Sequence, residues 1–108
     1  MEYKKIVAIV RSSVLEGVEA RLRQSGVKGI SVSRVKGFGE YINYFKENRM
    51  VDHVRIDIFV EQSGVDGIVG AIIDSAHLGI PGDGIVAVQP VEKLYRIRTR
   101  AEIEPHEC

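Results

Sequence analysis

An α+β fold of ferredoxin-like type, a βαββαβ sandwich whose antiparallel sheet carries two helices on one face, is what three patterns in this sequence predict. The first is strict alternation: Val54, Ile56, Ile58 and Val60 fall on one side of a strand, and Arg55, Asp57 and Phe59 on the other. The second is the i, i+3, i+4 recurrence of Val65, Ile68, Val69, Ile72, Ile73 and Ala76, which predicts an amphipathic helix. The third is the order of such segments along the chain: strand, helix, two strands, helix, strand, and a terminal strand.

Each element has its own warrant. Residues 4–10 are a β-branched run of strand length. Over residues 14–25 the period changes, with Val14, Val18 and Leu22 four apart and Leu15 beside them. Ser13 and Glu16 stand at capping-box spacing, and Gly26 is a natural stop. Ile30 and Val32 mark a second strand ending near Lys36, and the alternating segment from Val54 is the third. Ser63 is placed to cap the second helix, and Gly79 follows its end. Ile85 to Val88 reads as a fourth strand and Leu94 to Thr99 as a short fifth. With both helices on one side, the other sheet face presents Ile and Val to water, so self-association is expected.

Bulk properties narrow the class. The 108 residues are one domain, 1–108, since a chain of this length builds one core and has no reason to split. Hydrophobic content of 44% against 28% charged residues excludes a disordered chain. Lys plus Arg and Asp plus Glu are 15 each, so no basic excess recommends nucleic acid. No apolar run has the roughly 18 residues of a membrane span, and Met1-Glu2-Tyr3-Lys4-Lys5 enters a strand without a signal-peptide core. Direct membrane insertion is not expected. One cysteine, Cys108, allows no internal disulfide, in keeping with a cytoplasmic setting.

Three short segments carry the chemistry. Val35-Lys36-Gly37-Phe38-Gly39 ends the second strand, Gly82-Asp83-Gly84 opens the fourth, and Tyr95-Arg96-Ile97-Arg98-Thr99 alternates near the C-terminus. Glycines let backbone approach a ligand, and arginines two apart on one strand face hold phosphate or carboxylate. Taken singly, Gly82-Asp83-Gly84 reads as a turn and Arg96 with Arg98 as a solvated strand face. Their order and spacing together read as a site.

These segments, with Lys4 to Arg11, Gly29 to Gly39, Gly82 to Val88 and Val91 to Thr99, resemble the PII signalling proteins (nitrogen regulatory protein P-II) over nearly the whole chain, apart from residues 40–52 and the last few. The resemblance implies a homotrimer with an adenine nucleotide in each inter-subunit cleft. One subunit would give Gly37, Phe38, Gly39, Gly82, Asp83 and Gly84. Its neighbour would give Gly29, Ile30, Ser31, Arg96 and Arg98, and Asp57 and Phe59 are counted in the same nucleotide site, Asp57 at the position where an acid faces the base. A regulator is implied rather than an enzyme, and no Ser/His/Asp order, paired-carboxylate cleft or metal triad argues otherwise.

Departures from the family pattern adjust the ligand. The lysine that usually follows Gly-Asp-Gly is Ile85, and the Arg-Gln that usually follows Gly-Phe-Gly is Glu40-Tyr41. Each charge-assisted hydrogen bond lost from a dry site costs about 1.5–3 kcal/mol. ADP or AMP is therefore expected ahead of ATP. Lys36, Lys46, Arg49 and His53 are candidate replacement charges, His53 standing where the family has a lysine.

The family's effector-contacting T-loop corresponds to Glu40–Asp52, shorter here and without the usual context of the modified tyrosine. Tyr41, Tyr44 and Phe45 either anchor a protein partner or pack on their own trimer. By resemblance the partner is a membrane transporter or a metabolic enzyme. The tail, residues 100–108, ends in His106 and Cys108. As an alternative function these residues point to a metal-responsive trimeric binding protein, although two ligands fall short of a metal site and a frayed terminus is the simpler reading.

Overall fold

Two nine-residue strands at the centre of one sheet frame this computed structural model, which describes residues 2–35 and 52–103. The elements are β1 (Tyr3–Arg11), α1 (Leu15–Gln24), β2 (Ser31–Val35), β3 (His53–Glu61), α2 (Val65–Ala76), β4 (Gly84–Val91), β5 (Tyr95–Arg96) and β6 (Ala101–Glu102). The main sheet runs β2-β3-β1-β4, every neighbouring pair antiparallel. Each helix thus links two strands that flank a third, the split βαβ arrangement the sequence predicts.

The core lies between one sheet face and the helices. Ile6, Ala8 and Val10 of β1 face Ile58, Ile56 and Val54 of β3 in register, and all six are buried. Val18 and Leu22 of α1 and Ile68, Ile72 and Ala76 of α2 close the same cluster. Burial of side chains such as Ile6, Ile56 and Ile72 contributes about 1.5–3 kcal/mol each. On the opposite face, pairing places Lys5, Val7 and Ile9 beside Phe59, Asp57 and Arg55 on one side and beside Gln89, Ala87 and Ile85 on the other. Phe59 and Ile85 are exposed there.

Three expectations are corrected. Neither Ser13 nor Ser63 caps a helix through its side chain. A 3-10 turn leads into each helix instead, with Leu15 N–H bonded to Ser12 O and Val65 N–H to Gln62 O, which uses helix-start donors that a cap would otherwise take. The fourth strand is longer than expected, Gly84–Val91, because β1 offers a partner for its whole length.

The largest difference lies after it. Instead of one strand over Leu94–Thr99, the chain pairs for two residues, turns through Ile97–Arg100, and pairs back with Ala101–Glu102. The turn closes through Arg100 N–H to Arg96 O at 3.0 Å, with Arg100 at φ 62°. Alternation alone does not make a strand, which also needs an edge to pair with, and Tyr95 and Ile97 are both exposed. Among the described residues, the edge they use is their own continuation. Arg98 consequently sits in the turn and does not share a strand face with Arg96.

Candidate functional site

The loop after α2 is built around one carboxylate. Asp83 Oδ2 accepts the N–H groups of Leu78 at 3.0 Å and Gly79 at 2.8 Å, closing the loop on itself. Its Oδ1 lies 3.6 Å from Arg11 Nε. Burial pushes the Asp83 carboxyl up, but the Gly79 and Leu78 N–H groups and the Arg11 charge outweigh it, so the group is held below the usual carboxylate range. Gly82 and Gly84 have φ of 95° and 110°, a region other residues rarely adopt. At Gly84 a Cβ would fall 1.8 Å from Ile9 O, so the start of β4 can lie against β1 only without a side chain.

Two basic side chains reach the same loop from the sheet. Arg11 and His53 are cross-strand partners at the end of β1 and β3. Arg11 donates to Pro81 O at 2.6 Å, and His53 Nε2 donates to Gly82 O at 2.8 Å, since a carbonyl can only accept. Both side chains are buried, with 7% and 1% of their surface exposed. His53 is therefore engaged with backbone, which corrects its reading as a spare charge for a ligand. Arg11 was missed as a site residue. Its one signal was a charge following the apolar run of β1, where the alternating strand β3 begins with a second ionisable residue.

Of the predicted residues, Gly82, Asp83 and Gly84 line a hollow of about 380 Å³ with Gly79, Ile80 and Pro81. A different group meets at the far end of the sheet. Gly29, Phe59 and Arg96 line a cleft of about 540 Å³ with the Ser25–Lys28 turn and the Glu61–Gly64 approach to α2. Ser31 is the cross-strand partner of Asp57. Asp57 Oδ1 is 3.0 Å from Arg55 Nε and 4.0 Å from Lys5 Nζ, and Lys5 lies 6.0 Å from the centre of the Phe59 ring. Ile30 packs against the core. Arg98 is exposed in its turn and does not line the cleft.

The two groups are apart. Gly84 pairs with Val10, whereas Phe59 pairs with Lys5, five residues along the same strand. At about 3.3 Å per residue that is roughly 17 Å. Gly37, Phe38, Gly39, Tyr41, Tyr44 and Phe45 lie outside the described residues, as do His106 and Cys108. Among the described residues no three His, Cys, Asp or Glu groups come together as a metal site, and no helix is long and apolar enough to cross a membrane.

Known proteins resemble the chain over this whole architecture. Residues 3–101 match the family described as nitrogen regulatory protein P-II. The nitrogen regulatory protein P-II of Azospirillum brasilense is 38% identical over 103 residues, covering 89% of this chain and 92% of that one. Its counterpart in Microchaete diplosiphon is 36% identical with the same coverage. A crystal structure of Arabidopsis thaliana PII bound to citrate superposes with a TM-score of 0.82 at 34% identity, over 95% of this chain and 90% of that one.

Proposed function

Since the chain belongs to the nitrogen regulatory protein P-II family, whose members are signal-transduction regulators and not enzymes, we propose that it is a homotrimer binding an adenine nucleotide in each inter-subunit cleft. The observation that carries this reading is the separation of the two residue groups. A glycine loop with backbone donors stands at one end of the sheet, and a cleft with an aromatic ring and an arginine at the other. At roughly 17 Å apart along one strand, they can meet on one nucleotide only if neighbouring chains bring opposite ends together. The open sheet face, with Val7, Ile9, Phe59, Ile85 and Ala87, is the surface over which the chains associate.

In the cleft, the Gly82–Gly84 backbone of one chain receives phosphate, together with Gly37, Phe38 and Gly39. Gly29, Ile30, Ser31, Asp57, Phe59, Arg96 and Arg98 of the next chain hold the base, the ribose and the remaining charge. Ile85, exposed and adjacent to the loop, offers no cation to a third phosphate, so ADP or AMP binds more tightly than ATP. The citrate in the Arabidopsis PII structure is an anionic ligand on a protein of the same fold. Nucleotide occupancy biases the 40–52 segment, with Tyr41, Tyr44 and Phe45 as contacts, and through it a transporter or metabolic enzyme.

Calorimetric titration with ADP, AMP and ATP tests the ligand, and light scattering tests the assembly. ADP or AMP should bind several-fold more tightly than ATP, and Ile85→Lys should reverse the order. Absence of heat with all three at millimolar concentration, or a mass near the 12.0 kDa of one chain, contradicts the proposal.

A further inference from the structure

We propose that His53, with Arg11 beside it, is a positioning residue for the glycine loop: the pair holds the Pro81 and Gly82 carbonyls inward so that the Gly82 N–H faces out, free for an anionic ligand. The inference rests on the reading that this loop receives the nucleotide's phosphate, and it adds how the chain prepares the loop before ligand arrives. Neither side chain touches the ligand in this account.

The geometry is specific. Arg11 and His53 face each other across β1 and β3, and they take the carbonyls of successive residues, Pro81 and Gly82. A trans peptide is planar, with its N–H opposite its C=O. Turning Pro81 O toward Arg11 therefore turns the Gly82 N–H away from it, and turning Gly82 O toward His53 does the same for the Asp83 N–H. The Asp83 N–H bonds Ile80 O at 3.3 Å and tightens the turn, while the Gly82 N–H has no acceptor among the described residues. Gly82 is at positive φ, where the chain has wide backbone freedom unless something restrains it. Without the two donors both peptides could rotate, and a ligand would have to reorder them on binding. Arg11 and His53 are also hidden from solvent, so each carbonyl bond supplies a partner that burial makes obligatory.

The test compares three variants of the full chain. His53→Leu removes the donor and should raise the ADP dissociation constant about tenfold, the loss of one hydrogen bond's worth of preorganisation, with the light-scattering mass unchanged. His53→Gln, whose amide nitrogen reaches about as far as Nε2, should return within about threefold of wild type. His53→Asn, one carbon shorter, should bind as weakly as the leucine variant. If the leucine variant does not fold, the Gln and Asn pair makes the same comparison. Equal ADP affinity in wild type and His53→Leu overturns the proposal, and so does a Gln variant no better than Asn or Leu, which would reduce His53 to packing. Should wild type bind none of the three nucleotides, the proposed function fails by itself. Amide exchange over residues 78–84 then reads the clamp, with faster exchange in the Asn variant than in the Gln variant expected and equal exchange refuting it.

Discussion

The loop over residues 78–84 and the hairpin over residues 95–102 both carry candidate ligand residues, and the chain treats them in opposite ways. The loop is held from three directions: Asp83 closes it, and Arg11 and His53 take two of its carbonyls. The hairpin forms its own two-stranded sheet, and its backbone hydrogen bonds among the described residues run within residues 94–103. Ile97 at its turn is 94% exposed. The 78–84 loop is thus held within a single chain, while the hairpin is an arm with an exposed apolar tip. Under the proposed inter-subunit site, the held loop would fix one end of the ligand and the hairpin would wait for a neighbouring chain to cover it.

The most drastic way to break this contrast is Gly84→Ala. A methyl group 1.8 Å from Ile9 O cannot be accommodated by a rotamer change, and φ is also unfavourable. The start of β4 must leave β1, at a cost of about 3 kcal/mol or more, read as a lowered midpoint in denaturant. An unchanged midpoint would mean that the loop is far less fixed than its contacts imply. Ile97→Ser probes the arm. It should leave the stability of the single chain unaltered while raising the concentration at which the assembly dissociates by about tenfold or more, the consequence of losing one buried aliphatic side chain. A dilution series by light scattering reads this directly, and superimposable curves would show that the arm is no part of the interface.

The smallest effect comes from acid. The Asp83 carboxyl is lowered in the folded chain, so its stabilisation is complete above the ordinary carboxylate value of about 4 and is lost as pH falls through and below that value. Amide protection at Leu78 and Gly79 should fall below pH 4 before the sheet melts, and Asp83→Asn should remove that pH dependence. Asp74 is lowered as well, chiefly by its hydrogen bond from Arg21, but it is solvent-exposed and its share is screened. Arg21→Gln serves as the control that leaves the loop's acid response in place.

The framework was legible because period and partner agree in it. Val65–Ala76 was bounded correctly from its apolar repeat, and β3 to within one residue at each end from alternation, since Ile68, Ile72 and Ala76 pack into the same core as Val54, Ile56 and Ile58, although Ile73 of the helix stripe stays half-exposed. The hairpin was not legible, because Tyr95 to Thr99 shows a strand's pattern without the edge that would make it a strand. The same limit holds for the site. Glycine spacing located the 82–84 loop, but Asp83 turned out to hold its own loop, and Arg11 and His53 act on carbonyls 70 and 29 residues away in sequence respectively. Backbone orientation of that kind leaves no periodicity to read.

The stem of the segment between β2 and β3 has a further consequence. Val35 and His53 are paired, Arg34 lies 3.4 Å from Asp52, and Asp52 O accepts Ser12 N–H at 2.9 Å. The residues on either side of 36–51 are therefore fastened to the sheet by contacts among the described residues. Doubling the length of such a closed insert costs only about 0.6 kcal/mol of chain entropy. Evolution can lengthen, shorten or rewrite this cassette without renegotiating the sheet, and a protein engineer can graft a foreign recognition peptide between Val35 and Asp52 with the same freedom. If the segment contacts the effector as proposed, partner choice in this architecture can diverge quickly while the body of the molecule stays still.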